Sequence, residues 1–138
     1  MLTITKRGCP ARRRTQSAQR MAAIALLGVA IACGESKSEP TPPVATTVIT
    51  ITASGVSPKN VIVPVGSQVT FTNNDSRTHD MQSDPHPEHD DCPELAQVGF
   101  LRVGESRTSG NLNFAQTCTY HDNMREESNS LRGSIVVQ

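Results

Sequence analysis

The chain has 138 residues, enough for one domain but not two. Aromatic residues are 3% of it and Trp is absent, so a core has to be built from Val, Ile, Leu and three Phe. The formal net charge of zero hides a split. Residues 1–33 hold six of the thirteen Lys and Arg and no acid, while residues 34–138 hold seven against all thirteen Asp and Glu, a net −6. An acidic domain excludes a nucleic-acid binder, which needs a basic face. No apolar run reaches the roughly 18 residues that a membrane span requires.

Basic residues run up to Arg20, and Met21–Ala32 is then an unbroken apolar or small stretch. That is the length of a signal-peptide core and too short to cross a membrane. Ala32-Cys33-Gly34 follows, and the segment resembles a bacterial lipoprotein signal. The resemblance implies that residues 1–32 are removed and that Cys33 is lipidated. The protein is then exported, periplasmic or otherwise extracytoplasmic, and tied to a membrane only through its lipid. Ordinary secretion with cleavage near Ala32 is the other reading. Residues 33–46 are rich in Ser, Pro and Glu, cannot bury apolar surface, and are expected to be a flexible tether. Residues 47–138 form the domain.

Val48–Thr52 is a β-branched run and reads as a strand. Val61–Val65 reads as a second, interrupted or placed at an edge by Pro64. Gly66-Ser67 turns the chain, and Val69–Thr72 alternates apolar and polar as a half-buried strand does. Asn73–Ser76 is a turn cluster. Residues 82–97 are polar, carry three Pro and read as a long loop. Phe100–Val103, Asn111–Tyr120 and Ser134–Val137 complete the strands. No helical stripe and no repeat is present. Short strands at this spacing define an all-β domain, a sandwich or a barrel.

All four His (His79, His86, His89, His121) lie in the domain, together with Cys92 and Cys118. Cys118, His121 and Met124 place a thiol, an imidazole and a thioether within seven residues, a donor set suited to a soft metal such as copper. Two His and a Cys in a plane with a weak axial Met make a blue-copper electron-transfer site. A second imidazole has to come from elsewhere, and His79 closes the turn after the Val69 strand.

At this point the chain resembles the cupredoxins, the type 1 copper proteins of plastocyanin and amicyanin type. Val56-Ser57-Pro58, Val61, Val63, Gly66, Val69, Phe71, Asn73, Asp75 and His79 look like the family's first half. Cys118-x-x-His121-x-x-Met124 looks like its ligand loop, and Arg132–Val137 is similar to its last strand. The resemblance implies a Greek-key β-sandwich holding one copper. By the match His79, Cys118 and His121 are equatorial ligands and Met124 is axial, with Asn74 as a residue that braces the ligand loop. The insertion Arg125–Leu131 departs from the pattern and leaves Glu126 or a backbone carbonyl as alternative axial ligands. Cys92 is the second departure. In an oxidising compartment it tends to find a partner, and a Cys92–Cys118 disulfide removes the thiolate.

Two functions therefore compete. The first is a monomeric cell-envelope copper protein that passes single electrons to a redox partner. The second is a disulfide-closed cupredoxin-like module without blue copper, serving metal delivery or protein binding. The loop Ser83–Cys92 holds His86, His89 and four carboxylates. It is a solvated loop, an acidic docking patch or a second metal site, or it folds over and adds its imidazoles to His79 and His121. No nucleophile–base constellation and no phosphate loop is present, so an enzyme is not expected.

Overall fold

The computed structural model describes residues 41–138. The segment read as a signal peptide, Cys33 and most of the stretch read as a tether lie outside the described residues. Ten strands form two sheets. The larger sheet has the order β1 (Val44–Ala45), β4 (Asn60–Val63), β10 (Gly133–Val137), β9 (Gln116–Asp122), β6 (His79–Ser83), β7 (Gly99–Leu101). The smaller has β3 (Gly55–Ser57), β2 (Val48–Thr52), β5 (Thr70–Asn73), β8 (Ser106–Thr108). The chain changes sheet repeatedly, and β4–β10, β1–β4 and β2–β5 are parallel pairs inside otherwise antiparallel ladders. Of the two architectures the strand spacing allowed, sandwich and barrel, this is the sandwich, as the cupredoxin resemblance implied.

Alternation explains which residues form the core. In β2 Ile49 and Ile51 point inward, in β4 Val61 and Val63, in β5 Phe71 and Asn73, in β10 Ile135 and Val137. All except Asn73 are aliphatic or aromatic, and all are at most 2% exposed. Phe71 meets Tyr120 edge-on at 5.1 Å between ring centroids, which joins the two sheets at the centre. Burial pushes the Tyr120 phenol up, and its hydroxyl donates to Lys59 O at 2.9 Å. Strand β4 ends at Val63, immediately before Pro64, as a proline without an N–H requires.

Four strands, β1, β3, β6 and β8, were not legible in the residues, and β9 was read to end at Tyr120. β1 lies inside the stretch read as tether and pairs in parallel with β4. β6 occupies the segment after the Asn73 turn, where His-Asp-Met-Gln-Ser has low strand propensity. β9 runs on to Asp122, so Cys118–His121 is strand and not the loop that the ligand motif implied.

Gly133 opens β10 opposite Tyr120. A Cβ there meets Lys59 O and the Tyr120 ring, which must then move. Gly133→Ala is expected to destabilise the domain by about 1–3 kcal/mol, as overpacking does. A denaturant titration checks this.

Candidate metal centre

Strand β9 sorts the expected ligands onto two faces. Side chains alternate along a strand, so Cys118, Tyr120 and Asp122 point into the core and His121 points to the opposite face. On the neighbouring strand β6, His79, Met81 and Ser83 share the core face. His79 and His121 therefore sit on opposite sides of one sheet. An odd separation from Cys118 to His121 on a regular strand makes this unavoidable.

Cys118 is bonded to Cys92, with Cα atoms 5.7 Å apart. The sulfur expected as the thiolate ligand is thus committed to a covalent bond, and the disulfide alternative holds instead. His79 is fully buried between two carboxylates. Nδ1 lies 2.9 Å from Asp122 Oδ2 and Nε2 3.1 Å from Asp75 Oδ2. Both ring nitrogens are thus engaged by carboxylates within hydrogen-bond distance. Met124 is half exposed, and its sulfur accepts a long hydrogen bond from Thr78 Oγ1 at 3.9 Å. The His79, Cys118, His121, Met124 set is not assembled, and a type 1 copper does not fit these residues.

Asp75 and Asp122 are fixed by their donors. Burial raises both, but hydrogen bonds outweigh it and hold both below the ordinary carboxylate value of 3.8. Asp75 accepts from Arg77, Ser76 N–H and His79, and Asp122 from Asp80 N–H, His79, Met124 N–H and Arg125. The bracing amide is Asn73 and not the exposed Asn74: its Nδ2 donates to Arg77 O and Arg102 O, and its Oδ1 accepts from Asp75 N–H.

On the other face the polar loop after β6 folds over His121. His86, His89 and His121 each offer a ring nitrogen, and the three atoms lie within 4.8 Å of one another. Ring centroids are 5.2 to 5.8 Å apart. His121 Nδ1 donates to Asp84 Oδ1 at 2.7 Å, which leaves the lone pair on Nε2. That Nε2 is buried and has no hydrogen-bond partner, and neither has His89 Nε2. His86, on the rim, places Nε2 3.1 Å from Glu126 Oε2. His89 holds a left-handed backbone, φ 56°, fixed by Ser83 Oγ donating to its carbonyl and by its own N–H on Pro85 O. Imidazoles with carboxylates behind them and two orphaned nitrogens between them have the chemistry of a nitrogen-donor metal site. Zinc and copper both suit such donors, with bonds of about 2.0–2.1 Å to nitrogen.

The loop after β6 does fold over one of the expected histidines. His86 and His89 meet His121 but not His79. Asp84 and Glu126 as carboxylate partners were missed. Alternation along β9 was the signal that separates His121 from Cys118.

No family model matches the chain, and no curated protein does. Solved structures do match. A purple cupredoxin from Nitrosopumilus maritimus superposes with a TM-score of 0.54 at 23% identity, over 67% of this chain and all of that one. An amicyanin variant holding Cu(I) gives 0.50 at 20%, over 66% and 80%, and a fern plastocyanin variant gives 0.54 at 16%, over 66% and 99%. The fold is that of the cupredoxins. On that sandwich the chain carries a buried Asp–His–Asp cluster on one face of its larger sheet and three converging imidazoles on the other.

Acid is expected to unfold the domain through Asp75 and Asp122. Their lowered values mean that the stability they supply is complete above the ordinary carboxylate range and is lost as pH falls from about 4 through the folded-state values. Asp122→Asn is expected to cost roughly 3–5 kcal/mol at neutral pH, because it leaves His79 and Arg125 without their shared carboxylate. The acid dependence should flatten in the same variant. Chemical denaturation at a series of pH values measures both.

Proposed function

We propose that this protein is an exported, cupredoxin-fold metal-binding module that carries copper or a similar ion on His86, His89 and His121, without a thiolate ligand and without blue-copper electron transfer. One observation carries the reading: three imidazoles converge to within 4.8 Å, and two of them carry a buried ring nitrogen without a partner. An orphaned buried acceptor costs about 1–3 kcal/mol. Two of them side by side are explained if an ion satisfies both. Copper is favoured among the candidates because an amicyanin of the same fold holds Cu(I).

Electron transfer through a type 1 site requires the Cys118 thiolate, which the disulfide consumes. Delivery or storage asks only for affinity and release. His86 supports release, since its side chain is 39% exposed at the rim of an open groove of about 610 Å³ lined also by Met124 and Glu126. The partner is then a donor or acceptor of the ion in the cell envelope, in place of a redox protein. Export is supported by the basic and apolar leader and by the disulfide, which oxidising compartments favour.

Two measurements test the reading. Added Cu(II) should bind without the intense visible band of a copper–thiolate bond, and an intense band would overturn the assignment. His89→Gly should abolish binding while the metal-free stability stays within about 1 kcal/mol, because Gly relieves the left-handed strain at a small entropic cost. Retained affinity in that variant would remove His89 from the site. For export, mass spectrometry of the native protein should find an N-terminus at a lipid-modified Cys33. An unmodified N-terminus elsewhere in a soluble fraction contradicts the anchor.

A further inference from the structure

We infer that the Cys92–Cys118 disulfide is the clamp that assembles the three-imidazole site, so that the chain reaches its full metal affinity only once these two thiols are oxidised. The inference rests on reading His86, His89 and His121 as the ligands.

The ligands come from two separate pieces of chain. His121 is on β9, and His86 and His89 are on the loop between β6 and the short 3-10 turn Pro93–Gln97. Between Ser83 and Leu95 the only buried residue is Cys92. The loop has no apolar side chain to hold it against the sheet. It also carries Asp84, Glu88, Asp90 and Asp91, whose like charges favour opening. Its attachments near the site are polar: Asp84 N–H to Thr119 O, the Asp84–His121 pair, Ser83 Oγ to His89 O, and the exposed His86–Glu126 contact.

Against these weak ties stands one covalent bond, and its position is telling. Cys92 ends the loop three residues after His89, and Cys118 precedes His121 by three residues on β9. The bridge thus joins the piece that supplies two imidazoles to the piece that supplies the third. Cutting it leaves Asp84–Glu94 fixed by polar contacts alone, and the wide conformational freedom of such a segment opposes closure.

Closure is an exchange that balances. The two thiols are oxidised to the disulfide, and a disulfide-bearing oxidant is reduced to two thiols, taking both electrons and both protons. In the bridged chain Cys92 and Cys118 are 1% and 0% exposed, so the loop must open before a reductant reaches the sulfurs. A cation bound across loop and strand resists that opening. Metal and disulfide therefore protect one another, and each strengthens the other by the same factor.

The test titrates Zn(II) into the oxidised protein, into His121→Ala, and into the double variant Cys92→Ser, Cys118→Ser, with circular dichroism to establish folding. Oxidised protein should bind, His121→Ala should not, and the folded double variant should bind about 10–100-fold more weakly, the loss seen when the groups that orient metal ligands are removed. Equal affinity in oxidised protein and folded double variant overturns the clamp and leaves the site standing. No binding by the oxidised protein overturns the site itself. Should the double variant not fold, the wild type decides. Reduction by tris(2-carboxyethyl)phosphine, followed by thiol labelling and mass spectrometry, should slow about 10-fold or more when Zn(II) saturates the protein. An unchanged rate with zinc bound overturns the clamp.

Discussion

The two-residue period of β9 is the constraint on which the rest depends. Cys118, Tyr120 and Asp122 share the core face, and His121 has to face away. Each of the three inward residues is committed. Cys118 bonds to Cys92, Tyr120 packs on Phe71, and Asp122 holds His79. A strand that continues through the Cys-x-x-His segment splits its donors between two environments. A loop at the same place lets them converge. The difference between a thiolate–imidazole site and an all-imidazole site in this fold follows from where one strand ends.

His79 illustrates the consequence on the inner face. A histidine placed near a carboxylate in a core is either a ligand or an ion-pair member, and the second carboxylate decides. With Asp75 and Asp122 on opposite edges of the ring, both nitrogens are engaged. Arg77 and Arg125 supply positive charge to the carboxylates, and backbone N–H groups take up other lone pairs. Buried charge is costly to desolvate, and complete pairing offsets the cost without a large net gain. What the cluster secures is position. It ties the Asn73–Thr78 turn to the end of β9 and to Arg125, on the residues that lead out of the metal centre.

Much of the fold was legible, because β-branched runs and Gly or Pro punctuation mark β2, β4 and β10 without reference to partners. The fold resemblance rested on the same residues. β6 was not legible, since His79-Asp80-Met81-Gln82-Ser83 becomes a strand through pairing with β9 and β7 and not through propensity. The candidate site was legible in its parts and not in its grouping. His121 was marked by the Cys-x-x-His spacing, and His86 and His89 by the acidic loop. His79 was assigned to the wrong partner set, because composition along the chain gives no face of a sheet until the strand's length is known. Cys92 was the residue that announced the departure, as an extra thiol in a chain whose leader reads as an export signal.

The charge of the site follows from the same rearrangement. A thiolate brings a negative charge to a metal directly, and three imidazoles bring none. In this chain the negative charge stands one layer out, on Asp84 behind His121 and Glu126 beside His86. Two carboxylates there match a divalent cation without touching it, and each fixes a ring by taking its N–H. Their distance from the ion makes the attraction softer than a thiolate bond, and Glu126 is 47% exposed where Asp84 is 27%. The rim side is therefore the more easily hydrated and the weaker half of the site. On the proposed reading, an ion leaving toward the groove would part first from the exposed His86, while the half-buried His89 and the buried His121 hold it against the sheet. Such a gradation of exposure accords with the delivery proposed above better than with permanent retention.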